Sequence, residues 1–188
     1  PQDDCNNMTL ALDSKIFGRL SSDDEIAGFF DDEAFLRVML EIEGALARVE
    51  AHLGIIPASA AERISEVCAT VEMDPQQIGL DTQRDGVPVI SLVKSLREAV
   101  GENAAPFVHW GATTQDIVDT ATVLQFRSAI RIMEQRLFAI IDSLADQADR
   151  HRTTVMAGRT LGQQALPITF GFKVAGWLAP LLRHRKRL

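Results

Sequence analysis

The chain has 188 residues, of which 46% are hydrophobic and 24% charged, and it carries a net charge of −7. That composition suits one globular domain or one and a fraction. The acidic balance argues against a nucleic-acid partner, since the only basic run is Arg183-His184-Arg185-Lys186-Arg187, and no apolar run approaches the roughly 20 residues that a membrane span needs.

Apolar residues recur at helical spacing nearly everywhere and no convincing period-2 run appears, so the expected fold class is all-α. Pro1 to Met8 is polar and is expected to fray. Ser22-Asp23-Asp24-Glu25 reads as a capping box opening a short helix. Asp31 or Asp32 starts a longer one, in which Phe35, Met39, Ile42, Leu46, Val49 and Leu53 form a heptad-like seam. Gly54 stands where a C′ glycine belongs. Ser59-Ala60-Ala61-Glu62 reads as a second capping box, with Ile64, Val67 and Val71 facing inward. Asp74-Pro75 gives a cap followed by an N1 proline, and Gln83 to Val87 reads as a polar turn. Pro88 opens a helix carrying Val89, Leu92, Val93, Leu96 and Val100, which Gly101 stops.

Gly101 to Gly111 is expected to be a loop. From Asp116 to Arg150 there is neither glycine nor proline, and a continuous helix there would be about 50 Å long at ~1.5 Å per residue. Helices of that length lie in extended bundles, often shared between subunits. Thr153 to Gln164 reads as another loop, followed by an apolar helix from about Pro167 that Pro180 would kink or end. Gly44 and Gly176 fall inside helical patterns, and close helix approach is the simplest compensation for each. The pattern at Leu188 is still helical, so the sequence reads as truncated there.

Two loop-to-helix stretches carry polar groups suited to chemistry. In His109-Trp110-Gly111-Ala112-Thr113-Thr114-Gln115-Asp116, Thr113 can cap the next helix with Asp116 closing the box. The unpaired N–H groups and positive dipole end suit a carboxylate, with Thr114, Gln115 and His109 as further donors. The plainer alternative is a capped helix start with His109 packed against Trp110. In Met156 to Gly171, Arg159 can grip a carboxylate through its two-pronged fork, with Thr160, Gln163 and Gln164 beside it. The alternative there is a polar interhelical loop with Arg159 in a surface salt bridge.

The remaining candidates read as structural. His52 lies at the edge of a helix, His151 follows the long helix where a cation suits the dipole, and His184 sits in the basic run. No histidines, cysteines or carboxylates recur at metal-ligand spacing, and no P-loop, GxSxG or GxGxxG occurs. With no CxxC and no signal-peptide pattern, Cys5 and Cys68 are read as free thiols of a reducing, cytoplasmic compartment.

Together the two loops resemble a known family. His109-Trp110-Gly111-Ala112-Thr113-Thr114-Gln115-Asp116 is similar to the H-x-G-x-T-S-Q-D element of the adenylosuccinate lyase and carboxymuconate cycloisomerase branch of the fumarase/aspartase superfamily. Gly158-Arg159-Thr160, with Gln163 and Pro167-Ile168-Thr169-Phe170-Gly171, resembles its G-R-T-H-x-Q-x-A-x-P-x-T-x-G element. The resemblance implies a long-helix bundle, with residues 1–111 as an N-terminal helical domain and 112–188 as the start of the central bundle. It implies a homotetramer acting on a small tricarboxylate without cofactor or metal. Substrate would be held by His109, Thr113, Thr114, Gln115, Arg159, Thr160 and Gln163.

Two departures bear on the reaction. Thr114 replaces the usual serine and keeps the hydroxyl. Leu161 stands where most members have histidine, and a leucine cannot transfer a proton. Carboxymuconate cycloisomerases resemble this sequence in having a bulky apolar residue there. The resemblance therefore implies closure of 3-carboxy-cis,cis-muconate to 4-carboxymuconolactone, an isomerase step of protocatechuate breakdown. The alternatives are an adenylosuccinate-lyase-like β-elimination and a non-catalytic helical scaffold. The family's mobile loop, S-x-x-M-P-x-K-x-N, which supplies the base, does not occur in this sequence, so the catalytic base is not among these residues and 1–188 by itself is expected to hold only part of a site.

Overall fold

The computed structural model describes Ser14 and residues 16–188. The stretch Pro1–Met8 and Cys5 lie outside the described residues. Helices dominate, as the apolar period requires. They are α1 (Gly18–Ser21), α2 (Asp24–Ala27), α3 (Asp32–His52), α4 (Ala58–Thr70), α5 (Pro75–Asp85), α6 (Val89–Val100), α7 (Thr114–Arg150) and α8 (Phe170–Arg185). The described residues up to Arg127 form one compact unit, and Ser128–Leu188 form a second.

In the first unit, polar residues set the helix starts. Asp23 accepts the Ile26 N–H at 3.0 Å, and Asp31 accepts the Ala34 N–H at 2.7 Å. The first cap is thus Asp23 rather than Ser22, because the helix begins at Asp24, directly after Asp23. At α4 the expected box does not form. Pro57 occupies the cap with no side-chain bond, and the helix begins at Ala58, before Ser59 can serve. Asp74 and Pro75 open α5 as expected, with the Gln76 N–H bonded to Asp74. That helix absorbs Gln83–Asp85 of the expected turn and ends on Gly86 at φ +79°.

The core lies among α3, α4, α6 and the first turns of α7. All five positions expected to face inward on α6 are buried: Val89, Leu92, Val93, Leu96 and Val100. On α3 the buried stripe is Leu36, Met39, Leu40, Glu43, Gly44, Ala47 and Glu50. The expected seam lies to one side of it. Of that seam only Met39 is fully buried, while Val49 and Leu53 are 58% and 66% exposed. The pattern misled because two core positions are glutamates. A Cβ on Gly44 would sit 3.3 Å from Cys68 Cβ, so α3 and α4 approach as closely as expected there. Arginines close two helix ends. Arg37 donates to the Cys68 and Val71 carbonyls at 3.1 and 3.2 Å, and Arg63 donates to the Ala99 and Val100 carbonyls at 3.3 Å each.

In the second unit the expected loop at Thr153 to Gln164 is instead an antiparallel hairpin, β1 (Val155–Thr160) and β2 (Gln163–Thr169). Leu161-Gly162 makes its two-residue turn, with Gly162 at φ +69°. A bulge interrupts the ladder between Ala157 and Arg159. Gly158 occupies it because a Cβ there would collide with the Leu166 carbonyl. Within this unit most of the hairpin is exposed, Val155 and Leu166 included. No core face imposes the inside–outside alternation that marks a strand in sequence. Among the described residues the regular structure apart from this hairpin is helical.

Helix α8 starts at Phe170, capped by Thr169 through the Phe172 N–H at 3.1 Å, while Pro167 pairs with Ala157 inside the hairpin. Its start packs on the end of α7. The Gly171 N–H bonds to the His151 carbonyl at 2.9 Å, and the Phe170 ring meets the His151 ring edge-on at 5.2 Å. The helix continues through Pro180 to Arg185. Among the described residues no other element comes within 4 Å of a Cβ placed on Gly176, so the expected close helix approach is not seen there. Gly176 stands four residues before Pro180, at the position whose carbonyl a helical proline ring crowds, and glycine tolerates the backbone tilt that relieves such crowding.

Candidate functional site

The first loop belongs to the first unit. Its capping box forms as expected, with the Thr113 N–H donating to Asp116 Oδ2 at 2.8 Å and the Gln115 N–H to Thr113 Oγ1 at 3.3 Å. The Asp116 N–H bonds to the Thr113 carbonyl. These bonds leave the Thr114 N–H and hydroxyl and the Thr113 hydroxyl proton as open donors of this helix end among the described residues. The Gln115 amide donates to the Asp119 carboxylate, so it must leave that partner to meet a ligand. Thr114 lines a cavity of about 210 Å³ together with Val89, Ile90, Val93, Arg97 and His109.

His109 is held by a side chain of α3. Its Nδ1 lies 2.6 Å from Glu43 Oε1, and its backbone sits at φ +60°, in the left-handed region. Trp110 remains half exposed. Glu43 is 1% exposed and Glu50 7%. The Oε2 atoms of both are buried without a hydrogen-bond partner. Burial pushes the Glu50 carboxyl above its ordinary range, and the neighbouring Glu43 adds to the rise while His109 offsets part of it. Gly111, at φ +70°, runs past this group, and a Cβ on it would sit 3.8 Å from Glu50 Oε1. Neither glutamate was expected from sequence, although one signal was there. Both stand on the apolar stripe of a helix, with Ala47 between them, where a carboxylate is rarely placed.

The second loop belongs to the second unit. Arg159, Thr160 and Gln163 all stand exposed at the turn end of the hairpin, with Thr160 paired to Gln163 and Arg159 to Gln164 in the ladder. Among the described residues no carboxylate pairs with Arg159, so the expected alternative of a surface salt bridge is not what the structure contains. Leu161, at the turn, is 99% exposed. An exposed apolar side chain and a guanidinium without an ion-pair partner among the described residues therefore stand at the same end of the hairpin; the guanidinium can hold an anion, and the leucine cannot move a proton.

The other histidines fall in structural places. His52 is exposed on the last turn of α3, His151 bonds Thr154 Oγ1 at 3.1 Å, and His184 lies in the last turn of α8. Among the described residues no group of histidine, cysteine, aspartate or glutamate side chains is arranged to hold a metal ion. No described helix is long and apolar enough to cross a membrane.

The sequence pattern of a family described as Lyase matches residues 18–188. Trans-aconitate decarboxylase 1 of Mycosarcoma maydis is 43% identical over 93% of this chain and 35% of its own length. The 3-carboxy-cis,cis-muconate cycloisomerase of Pseudomonas aeruginosa is 44% identical over 85% of this chain and 35% of its own. Among solved structures, the 3-carboxy-cis,cis-muconate lactonizing enzyme from Pseudomonas putida superposes with a TM-score of 0.86 at 38% identity, covering 93% of this chain and 40% of that one. The chain thus spans well under half the length of these relatives.

Proposed function

This chain belongs to the lyase family, within the fumarase/aspartase superfamily, and from that premise we propose that the full-length protein closes 3-carboxy-cis,cis-muconate to 4-carboxymuconolactone. In that reaction one substrate carboxylate adds across a conjugated double bond. The displaced electron pair moves into a second carboxyl group, giving an enolate-like dianion, and a proton then arrives at the adjacent carbon. The substrate carries three carboxylates, so the site needs several anion donors, and these count most where charge accumulates.

The residues divide that work as follows. The Thr114 N–H and hydroxyl, with the Thr113 hydroxyl, hold one carboxylate at the start of α7. Arg159 and Thr160 hold another from the hairpin. Gln115 and Gln163 orient the substrate, and His109 donates beside Thr114. The observation that carries the reading is Leu161. It stands at an exposed turn beside Arg159, where a lyase that works through histidine at this position would need a titratable group. The similarity to enzymes named for carboxymuconate supports it. So does the similarity to a protein named for trans-aconitate, another unsaturated tricarboxylate.

Self-association supplies the rest of the site in this reading. Met133, Phe138 and Ile140 on α7 and Phe172 and Trp177 on α8 are each at least two-fifths exposed, an apolar surface that suits a homotetramer. Light scattering on the full-length protein should give four subunits, and a stable monomer would remove that part of the proposal.

The deciding assay adds 3-carboxy-cis,cis-muconate to the full-length enzyme and follows the diene absorbance. Loss of that band with a lactone as product is the expected result. A stable band, with turnover of adenylosuccinate or trans-aconitate instead, would overturn the cycloisomerase reading and favour an elimination or a decarboxylation on the same scaffold.

A further inference from the structure

Two unfavourable arrangements meet at one hydrogen bond. Glu43 sits on the buried stripe of α3 between Leu40 and Ala47, a place where a leucine would pack without charge. Moving a carboxylate there is unfavourable before any compensation, and one of its oxygens has no hydrogen-bond partner among the described residues. At the other end of the bond, His109 takes a left-handed backbone conformation, φ +60°, which is strained for a residue other than glycine. A site built only for stability would contain neither. Violations of local rules that converge on one contact mark a functional requirement.

The contact has a defined consequence for the imidazole. Nδ1 is held 2.6 Å from Glu43 Oε1; an ionised carboxylate can only accept, so it selects the ring form with Nδ1–H as donor and leaves Nε2 as the other ring nitrogen. Nε2 has no partner among the described residues, and the ring is 15% exposed, at the wall of the cavity that Thr114 and Arg97 also line. We propose that Glu43 is a positioning residue for His109, fixing the ring through Nδ1 so that Nε2 is presented to a substrate carboxylate beside the Thr114 N–H. When Nε2–H donates to that carboxylate the ring carries a positive charge, and the Glu43 carboxylate balances it inside the low-dielectric core. Glu43 touches no substrate and acts only through the histidine. This role rests on the reading above that the loop binds a carboxylated substrate.

The test uses the full-length enzyme and two readouts, of which one needs no substrate. Hydrogen–deuterium exchange at the imidazole C2 carbon, followed by mass spectrometry over a pH series, reports each histidine separately. In Glu43→Gln the pH midpoint at His109 should move to lower pH than in wild type, while His52 is unchanged. In parallel, kcat/KM should fall by about 10²-fold or more. That fall should be absent when Glu43→Gln is added to His109→Asn, a replacement that tolerates the left-handed backbone. An unchanged exchange midpoint, or an equal loss of kcat/KM in both backgrounds, would overturn the proposal. Should wild type fail to turn over carboxymuconate while the exchange midpoint still moves, the substrate assignment fails and the positioning of His109 by Glu43 stands.

Discussion

Glu43 and Glu50 stand two turns apart on the same buried face of α3, and each leaves its Oε2 inside the protein without a partner. Burial and the nearby Glu43 oppose the ionisation of Glu50, and the imidazole of His109, bonded to Glu43 from the loop, offsets part of that effect.

A pH dependence follows for Glu50, whose carboxyl is raised from an ordinary value of 4.5, first by burial and then by Glu43. A raised acid favours the folded state while it is protonated. Its contribution is complete below about pH 4.5 and is lost as pH rises through the higher folded value. Glu50→Gln removes that titration without changing shape. Denaturation of the full-length protein at stepped pH should therefore show the variant gaining on wild type from about pH 4.5 toward neutrality. A difference that stays flat or shrinks over that range would mean the carboxyl is not desolvated.

Arg159 is exposed and makes no ion pair among the described residues, so it contributes little to folding. Arg159→Leu in the full-length enzyme should leave the melting temperature within about 2 °C of wild type. It should also lower kcat/KM by about 10²-fold, the order expected for losing a charged, two-pronged grip on a carboxylate. Turnover within a few-fold of wild type would remove Arg159 from the binding site.

Gly171 begins α8 against the end of α7. A Cβ there would collide with the Ala148 carbonyl oxygen and lie 2.7 Å from Arg152 Cα. Both obstacles are backbone and cannot rotate away. Gly171→Ala should destabilise the protein by about 1–3 kcal/mol, as overpacking does, whereas Gly176→Ala, in open surroundings, should not reduce stability by this route. Urea titrations of the two variants provide the comparison.

Cys68 is buried, and burial pushes its thiol up to about 12, with the Glu43 charge adding to the rise. Nearly all of it is thiol at pH 8, and the thiol is a poor nucleophile. Iodoacetamide at that pH should label Cys68 only after denaturant is added, as read by peptide mapping. Labelling of the native protein would mean that α3 and α4 open readily at Gly44.

Much of this was legible in the residues. Asp31, Asp74 with Pro75, and Thr113 with Asp116 fix helix starts through their own side chains, and the apolar period of α6 placed five inward positions correctly. These are local effects, settled within one or two turns of chain, so a single sequence carries them. The loops around His109 and Arg159 were also marked in advance, because helix starts and small polar residues concentrate donors wherever they occur.

What the sequence could not decide depended on neighbours distant in the chain. The hairpin leaves no alternating pattern in the sequence because no core face in its unit covers it, and alternation appears only where burial imposes it. The buried face of α3 was misplaced because a pattern reader takes glutamate for solvent. Only the fold shows that Glu43 and Glu50 lie inside, and that Glu43 lies there against a histidine from a loop 66 residues away. Helix ends are written locally, whereas the partner of a buried charge is chosen by tertiary packing.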